Sequence, residues 1–515
     1  MPLLLFGCGS FEFQTLAPNC SLGYISRSHR SRTSELNRFS DSPNPGLAMK
    51  NEGKKRNRVT NSKKKRQLGV KEGEEEAEKR AIDDIEDLFS GEETQKIRAS
   101  LLEWYDKNRR DLPWRRTKGD GIEGGGGEEE ERRAYGVWVS EVMLQQTRVQ
   151  TVIDYYNRWM QRWPTLQDLA QASLEEVNEM WAGLGYYRRA RFLLEGAKMI
   201  VSGWSEFPCT VSALRKVPGI GDYTAGAIAS IAFNEVVPVV DGNVIRVLAR
   251  LKAISANPKD KLTIKNFWKL AAQLVDPSQP GDFNQSLMEL GATLCTPLNP
   301  SCSSCPVSDQ CRAFSVSKHD DSVKVTDYPM KVLKPKQRCD FSTVSVVEIF
   351  GGQDISGQNQ YDSKFLLIRR PDEGLLAGLW EFPSVTLDEE PDLAVRRKNI
   401  DLLLKKSFKL NPPKNCSIVS REYVGEFFHA FTHIRRKIYV ELLVLCLNEQ
   451  THDLFREQDK ENMPWKCVDS EALSIMGLTS AVRKVYSMVE KFKHKSLSAE
   501  SMPLRKRANL KRKCS

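Results

Sequence analysis

The fold turns on the stretch Val217-Pro218-Gly219-Ile220-Gly221-Asp222-Tyr223-Thr224-Ala225-Gly226-Ala227-Ile228-Ala229. A Pro-Gly-x-Gly turn that opens a helix points bare backbone N–H groups outward, where they can hold a phosphate against the positive end of the helix. By itself such a turn also serves as a plain helix-to-helix connection. Its placement between two helices, upstream of a thiolate-rich loop, favours a hairpin of Val217, Pro218, Gly219, Ile220 and Gly221 that grips a phosphate backbone.

Working outward, apolar residues recur at helical spacing on both sides: Leu101, Leu102, Trp104 and Tyr105; Val149, Val152, Ile153 and Tyr156; Leu193, Leu194, Ala197 and Ile200. No period-two alternation is sustained, so residues 95–312 read as an all-α domain. Residues 118–131, with four glycines followed by four glutamates, interrupt it and predict a flexible surface insertion. A polar connector, residues 313–338, carries Lys331, Lys334 and Lys336. Beyond it, residues 344–349, 365–368 and 438–446 read as strands and 393–408 as a helix, which makes 339–490 a separate α/β domain.

The two ends differ in composition. Residues 49–94 are dominated by Lys, Arg and Glu and read as a disordered linker, and residues 491–515 as a basic tail. Residues 1–48 are rich in Ser and Arg (Arg27, Arg30, Arg32, Arg38) and poor in acid, which suits a transit peptide or an untargeted extension upstream of Met49. Across 515 residues the formal charge is +10, with runs such as Lys63-Lys64-Lys65-Arg66 and Lys511-Arg512-Lys513. The balance favours a nucleic-acid partner, and the runs suit a nuclear address. No stretch reaches the roughly 18 apolar residues of a membrane span, so no membrane association is expected. Eight of the twelve cysteines are scattered singly, as in a reducing compartment.

The other four, Cys295, Cys302, Cys305 and Cys311, close four soft ligands within 17 residues. Four thiolates suit zinc or a cubane iron–sulfur cluster, and softness alone does not choose. Glu141 sits in the apolar helical run Val137-Trp138-Val139-Ser140-Glu141-Val142-Met143-Leu144, where burial would raise its pKa and make it a general acid near neutrality. Asp241, in Val240-Asp241-Gly242-Asn243-Val244, reads as a helix N-cap, a catalytic carboxylate, or both. One proton donor and one anion are what breaking a glycosidic bond demands.

These features in this order, with Leu112-Pro113-Trp114, Glu141-Val142-Met143-Leu144-Gln145-Gln146-Thr147 and Gly183-Leu184-Gly185-Tyr186-Tyr187, resemble the MutY-type adenine DNA glycosylases of the helix-hairpin-helix superfamily. The resemblance is dense over 95–312 and looser to about residue 490. It implies an all-α helix-hairpin-helix glycosylase domain with a [4Fe-4S] cluster loop and a C-terminal α/β Nudix-like domain. The substrate it implies is duplex DNA with adenine opposite 8-oxoguanine or guanine, bound by a monomer, with base-excision-repair partners and a nuclear location, shared with mitochondrion or plastid through the N-terminal segment.

Residue by residue, Glu141 matches the group that protonates the departing adenine and handles the water, Asp241 the carboxylate that stabilises the cationic sugar, and Asn243 its supporting neighbour. Tyr223 stands where endonuclease-III-type relatives carry a Schiff-base lysine, which implies a monofunctional glycosylase. Arg110, Trp114, Arg115 and Glu289 match the adenine pocket. Gln146, Thr147, Leu184 and Tyr186 match the residues that wedge into the stack and touch the opposite guanine. Phe431-Thr432-His433 matches the loop that reads 8-oxoguanine, with Thr432 where the family often has serine.

Three departures stand out. The acidic insertion is expected to face away from DNA. Arg396-Arg397-Lys398 occupies the helix where a Nudix hydrolase needs clustered glutamates, which argues against pyrophosphate hydrolysis. No glutamine-led sliding-clamp peptide stands near the C-terminus, and a clamp contact is left open. The rival readings are an endonuclease-III-type glycosylase/lyase for oxidised pyrimidines, against which Tyr223 counts, and a non-catalytic lesion-binding protein, against which Glu141 and Asp241 count.

Overall fold

A computed structural model describes residues 88–115, 127–332, 337–350, 363–371, 376–431, 433–448 and 465–500. The transit-like segment, the basic runs of both ends and Thr432 lie outside these residues.

Among the described residues twelve α-helices fill the first part: α1 Gly91–Asn108, α2 Gly127–Leu144, α3 Val149–Arg162, α4 Leu166–Gln171, α5 Leu174–Met180, α6 Arg188–Gly203, α7 Val211–Leu214, α8 Asp222–Phe233, α9 Gly242–Leu251, α10 Lys261–Leu274, α11 Pro280–Thr293 and α12 Arg312–His319. Their starts are locally encoded. Ser90 with Glu93, Thr165 with Asp168 and Ser173 with Glu176 form capping boxes that satisfy the first free N–H groups of α1, α4 and α5.

The helices bury two cores. One is built on α2 to α8 around Trp138, Trp159 and Trp181. The other joins α1 to α9, α10 and α11 around Phe267 and Phe283. Val239 belongs to the first and Val240 to the second, so the chain crosses between them one residue before Asp241.

The C-terminal part is a seven-stranded sheet of β1 Arg338–Phe350, β2 Lys364–Arg369, β3 Trp380–Glu381, β4 Ser384–Leu387, β5 Cys416–Ala430, β6 Ile434–Leu447 and β7 Trp465–Val468. β1 and β6 run parallel over thirteen residue pairs, Arg338↔Ile434 to Phe350↔Cys446, and every other strand pairing among the described residues is antiparallel. Alternate side chains feed two cores. One face lies under α13 Leu393–Phe408; the other lies under α14 Ser470–Ile475 and the segment of α15 Ser480–Glu500 that carries Val482, Val485 and Val489.

The element types agree with expectation, and helix 393–408 agrees to the residue, but several boundaries move. Phe89 is buried and α1 starts at Gly91, so the helical domain begins ahead of residue 95. Glu128 to Glu131 are helical, because α2 extends back to Gly127 and Glu131 accepts a hydrogen bond from Gln167 Nε2 at 3.1 Å. The orientation of the insertion itself falls on residues outside those described. The connector is structured: α12 runs through His319, and Val325 is buried beside the cysteine loop. α15 carries the second domain to Glu500, beyond residue 490.

Candidate active site

The cleft between the two helical cores holds a cavity of about 500 Å³ lined by residues of both. Glu141 enters from α2, inside the unbroken buried run Ala134 to Met143, and is 5% exposed. Burial pushes its carboxyl up to about 7, Tyr223 and Arg115 opposing the rise and Asp241 adding to it. Tyr223, in the first turn of α8, donates its hydroxyl to Glu141 Oε2 at 2.5 Å and lies 3.4 Å from Met288 Sδ. Burial and the two carboxylates push the phenol well above its ordinary range, so it stays a donor.

Asp241 approaches from the other core. It is the N-cap of α9, Oδ1 accepting from Val244 N at 2.7 Å, and it also lines the cavity, so cap and site residue coincide. Burial raises its pKa against the hydrogen bonds from Val244 and Asn243 that favour the anion. Asn243 Nδ2 donates to Asp241 Oδ2 at 2.8 Å, and Arg246 Nη2 donates to Asn243 Oδ1 at 2.8 Å. Arg246 Nε donates to the backbone oxygen of Cys295 at 2.8 Å, which links the Asp241 cap to the cysteine loop. Gly291 makes room for this: a Cβ there would sit 2.6 Å from Asn243 Cβ.

The four residues expected to hold adenine, Arg110, Trp114, Arg115 and Glu289, line the same cavity. Glu289, 1% exposed, accepts from Arg110 Nε at 2.7 Å, Arg110 Nη2 at 2.8 Å and Arg115 Nη2 at 2.8 Å. Burial would raise its carboxyl, but these hydrogen bonds and charges prevail and hold it at about 2. Trp114 lines the cavity with its ring edge-on to Tyr156 at 5.3 Å. Gln146 and Thr147 line it as well.

Leu184 and Tyr186 lie outside the lining: Leu184 is 7% exposed within the first core, whereas Tyr186 is 47% exposed. Gln146 (φ 56) and Tyr186 (φ 48) both hold left-handed backbone, a strain of about 1–2 kcal/mol each for a residue with a Cβ. The hairpin turn closes through Ile220 N to Val217 O at 3.2 Å, with Gly219 at φ 80. Phe431 and His433 sit in the β5–β6 turn, where Phe431 meets His429 edge-on at 4.6 Å.

The four cysteines line one small cavity with Leu294, Phe314 and Val325. Burial and mutual repulsion raise the thiols of Cys302, Cys305 (to about 12) and Cys311 (to about 11), so they become thiolates only when a cation or cationic centre compensates them. Arg250, 1% exposed, donates Nη1 to Cys295 Sγ at 3.2 Å and to Thr296 O at 2.8 Å. Among the described residues no three His, Cys, Asp or Glu side chains form the grouping a single metal ion takes. Four sulfurs with apolar neighbours and one buried guanidinium fit a thiolate-ligated iron–sulfur group by donor chemistry.

Arg189, Arg246, Arg250, Gln285 and Met288 escaped the sequence reading. Arginines in helices read as solvated, and a methionine at helical spacing reads as core.

Residues 139–273 match the HhH-GPD superfamily base excision DNA repair protein family, and residues 358–488 the NUDIX domain. The adenine DNA glycosylase of Mus musculus is 44% identical over 428 residues, 76% of this chain and 78% of that protein. The chain belongs to the adenine DNA glycosylase family. The adenine DNA glycosylase of Arabidopsis thaliana is 64% identical over 423 residues, covering 78% of this chain and 65% of its own length. That of Homo sapiens is 45% identical over 70% of this chain and 68% of its own. As an adenine DNA glycosylase, the chain carries the two expected parts, a helix-hairpin-helix base-excision domain and a C-terminal Nudix-like domain. Among the described residues no helix is long and apolar enough to cross a membrane.

Proposed function

We propose that this adenine DNA glycosylase hydrolyses the N-glycosidic bond of an adenine mispaired with 8-oxoguanine or guanine in duplex DNA, leaving an abasic site without cutting the strand. The observation that carries the reading is the pair Glu141 and Asp241, one carboxyl poised at about 7 and the other an N-cap supported as the anion, facing one cavity between two cores. Extruding the base from the stack brings it into that cavity. Glu141 gives its proton to the adenine as the C–N bond breaks. The ionised Asp241 stabilises the cationic sugar, and Glu141, now a carboxylate, takes a proton from the attacking water.

Arg110, Arg115, Glu289 and Trp114 hold the adenine. Gln146, Thr147, Leu184, Tyr186 and the segment Phe431-Thr432-His433 read the opposite base, with the hairpin Val217 to Gly221 on the phosphate backbone. Tyr223 offers a phenol, not an amine, so no Schiff base with the sugar forms. Cys295, Cys302, Cys305 and Cys311 would hold a [4Fe-4S] cluster, which supplies a rigid anchor for the loop. The enzyme works as a monomer in the nucleus, with a share directed to mitochondrion or plastid by the N-terminal segment.

The test is adenine release from duplexes pairing it with 8-oxoguanine, guanine or thymine, together with iron and sulfide analysis. Release opposite 8-oxoguanine and guanine but not thymine, from a protein holding iron and sulfide, is expected; a zinc-loaded, colourless protein overturns the cluster assignment, and release of oxidised pyrimidines in place of adenine overturns the substrate.

A further inference from the structure

Arg189 is the second residue of α6, 8% exposed, and no carboxylate among the described residues pairs with it. That is an unfavourable place for a cation on two counts: the N-terminal end of a helix repels positive charge, and a buried guanidinium loses its hydration. What compensates it is a set of backbone oxygens from two separate segments. Nη1 donates to Val142 O at 2.7 Å and Met143 O at 3.0 Å, in the last turn of α2, and to Gln145 O at 2.6 Å just beyond it. Nη2 donates to Gly185 O at 3.1 Å, Leu184 O at 3.3 Å and Thr147 Oγ1 at 3.4 Å. The same guanidinium lies 5.2 Å from the ring centre of Trp181 and 5.5 Å from that of the half-exposed Tyr186.

The two segments so joined are the ones that carry left-handed Gln146 and Tyr186, each flanked by the carbonyls that Arg189 holds. Neither segment is regular secondary structure, so nothing in a helix ladder imposes those conformations. We propose that Arg189 is a positioning residue for opposite-base discrimination: its planar fork locks the Gln146 turn, which lines the cavity, and the neighbouring Tyr186 turn into one rigid wedge. This rests on the function proposed above. Removing the fork frees both turns, and the enzyme then loses preference between opposite bases while the Glu141–Tyr223 pair stays intact.

The experiment compares wild type, Arg189→Lys and Arg189→Met on duplexes with adenine opposite 8-oxoguanine or guanine, measuring Kd, single-turnover excision, the pH profile and Tm. In Arg189→Met the preference for 8-oxoguanine, in both Kd and excision, falls by at least about tenfold, equivalent to about 1.4 kcal/mol, and Arg189→Lys falls by less. Lysine keeps the charge with three donors in place of five, so it decides the matter if the methionine variant does not fold. In both, the alkaline limb near pH 7 stays in place, which general loosening of the domain would not permit. A folded variant whose preference stays within about twofold of wild type overturns the proposal. Should wild type bind the lesion duplex yet release no adenine, the functional reading fails, and the Kd ratios still judge Arg189.

Discussion

The hydroxyl of Tyr223 donates to Glu141 Oε2 at 2.5 Å inside a helix-lined cavity, and this one bond works against the burial that surrounds it. Burial and Asp241 favour the neutral acid; Tyr223 and Arg115 favour the anion, and the balance stands at about 7. An acid so placed is half protonated at neutral pH.

Catalysis that needs protonated Glu141 therefore declines as pH rises through about 7. Tyr223→Phe removes a bond that lowers the Glu141 pKa, so the alkaline limb moves to higher pH. Single-turnover rates from pH 5 to 9 check this; a limb that moves down, or not at all, contradicts the assignment.

Stability follows the same group with the opposite emphasis. Because the folded-state pKa of Glu141 is raised from 4.5 to about 7, the folded state binds more protons between those values, and stability falls as pH rises across that window. The loss approaches about 3 kcal/mol above pH 7. Glu141→Gln, which keeps an acceptor for Tyr223 without the charge, abolishes activity yet unfolds at a higher temperature than wild type at pH 8, with the difference shrinking toward pH 4.5. Denaturation curves at the two pH values read it directly.

The sequence made Glu141 legible because a lone carboxylate in the apolar run Val137 to Leu144 has no solvent face to occupy. Asp241 was legible only as an ambiguity between cap and catalyst, and the structure shows why: Val239 and Val240 belong to different cores, so the N-cap of α9 falls on the cleft itself. Glu289 is placed in the sequence only by resemblance, since its partners Arg110 and Arg115 stand 179 and 174 residues away and nothing local marks it. Arg189 carries no local signal at all, because all but one of its acceptors are carbonyl oxygens that every residue has. The long strand β5, with Ile418, Val419, Tyr423 and Phe428 exposed, lacks the clean alternation that marks a half-buried strand and was not read as one.

Glu289 supplies a second pH-dependent contribution of opposite sign. Its carboxyl is depressed to about 2, so its ion pairs stabilise fully above 4.5, by about 3 kcal/mol, and this is lost as pH falls toward 2. Glu289→Gln is expected to lower the unfolding free energy by about 3–5 kcal/mol at pH 7, because two guanidinium groups lose a buried partner. Guanidinium chloride titrations of wild type and variant converge as pH drops below 4; a constant gap contradicts the ion-pair origin.

The C-terminal domain rests on the helical one through contacts of unequal weight. Trp380 Nε1 donates to Glu175 Oε1 at 3.0 Å and Lys466 Nζ lies 3.7 Å from it, but Glu175 is well exposed. Gly477 touches backbone: a Cβ there would lie 2.6 Å from Glu179 N. Glu175→Ala should change stability by less than about 1 kcal/mol, whereas Gly477→Val should part the domains. Limited proteolysis distinguishes the two, and equal cleavage of both variants would refute the ranking.

The most direct measurement is single-turnover adenine release from a duplex with adenine opposite 8-oxoguanine, by wild type and Asp241→Asn, with and without alkali. Wild type should release adenine and leave strands that break only after alkali. Asp241→Asn, still capping α9, should be slower by at least about a hundredfold. Undiminished release by Asp241→Asn, or strand breakage by wild type without alkali, would contradict the account.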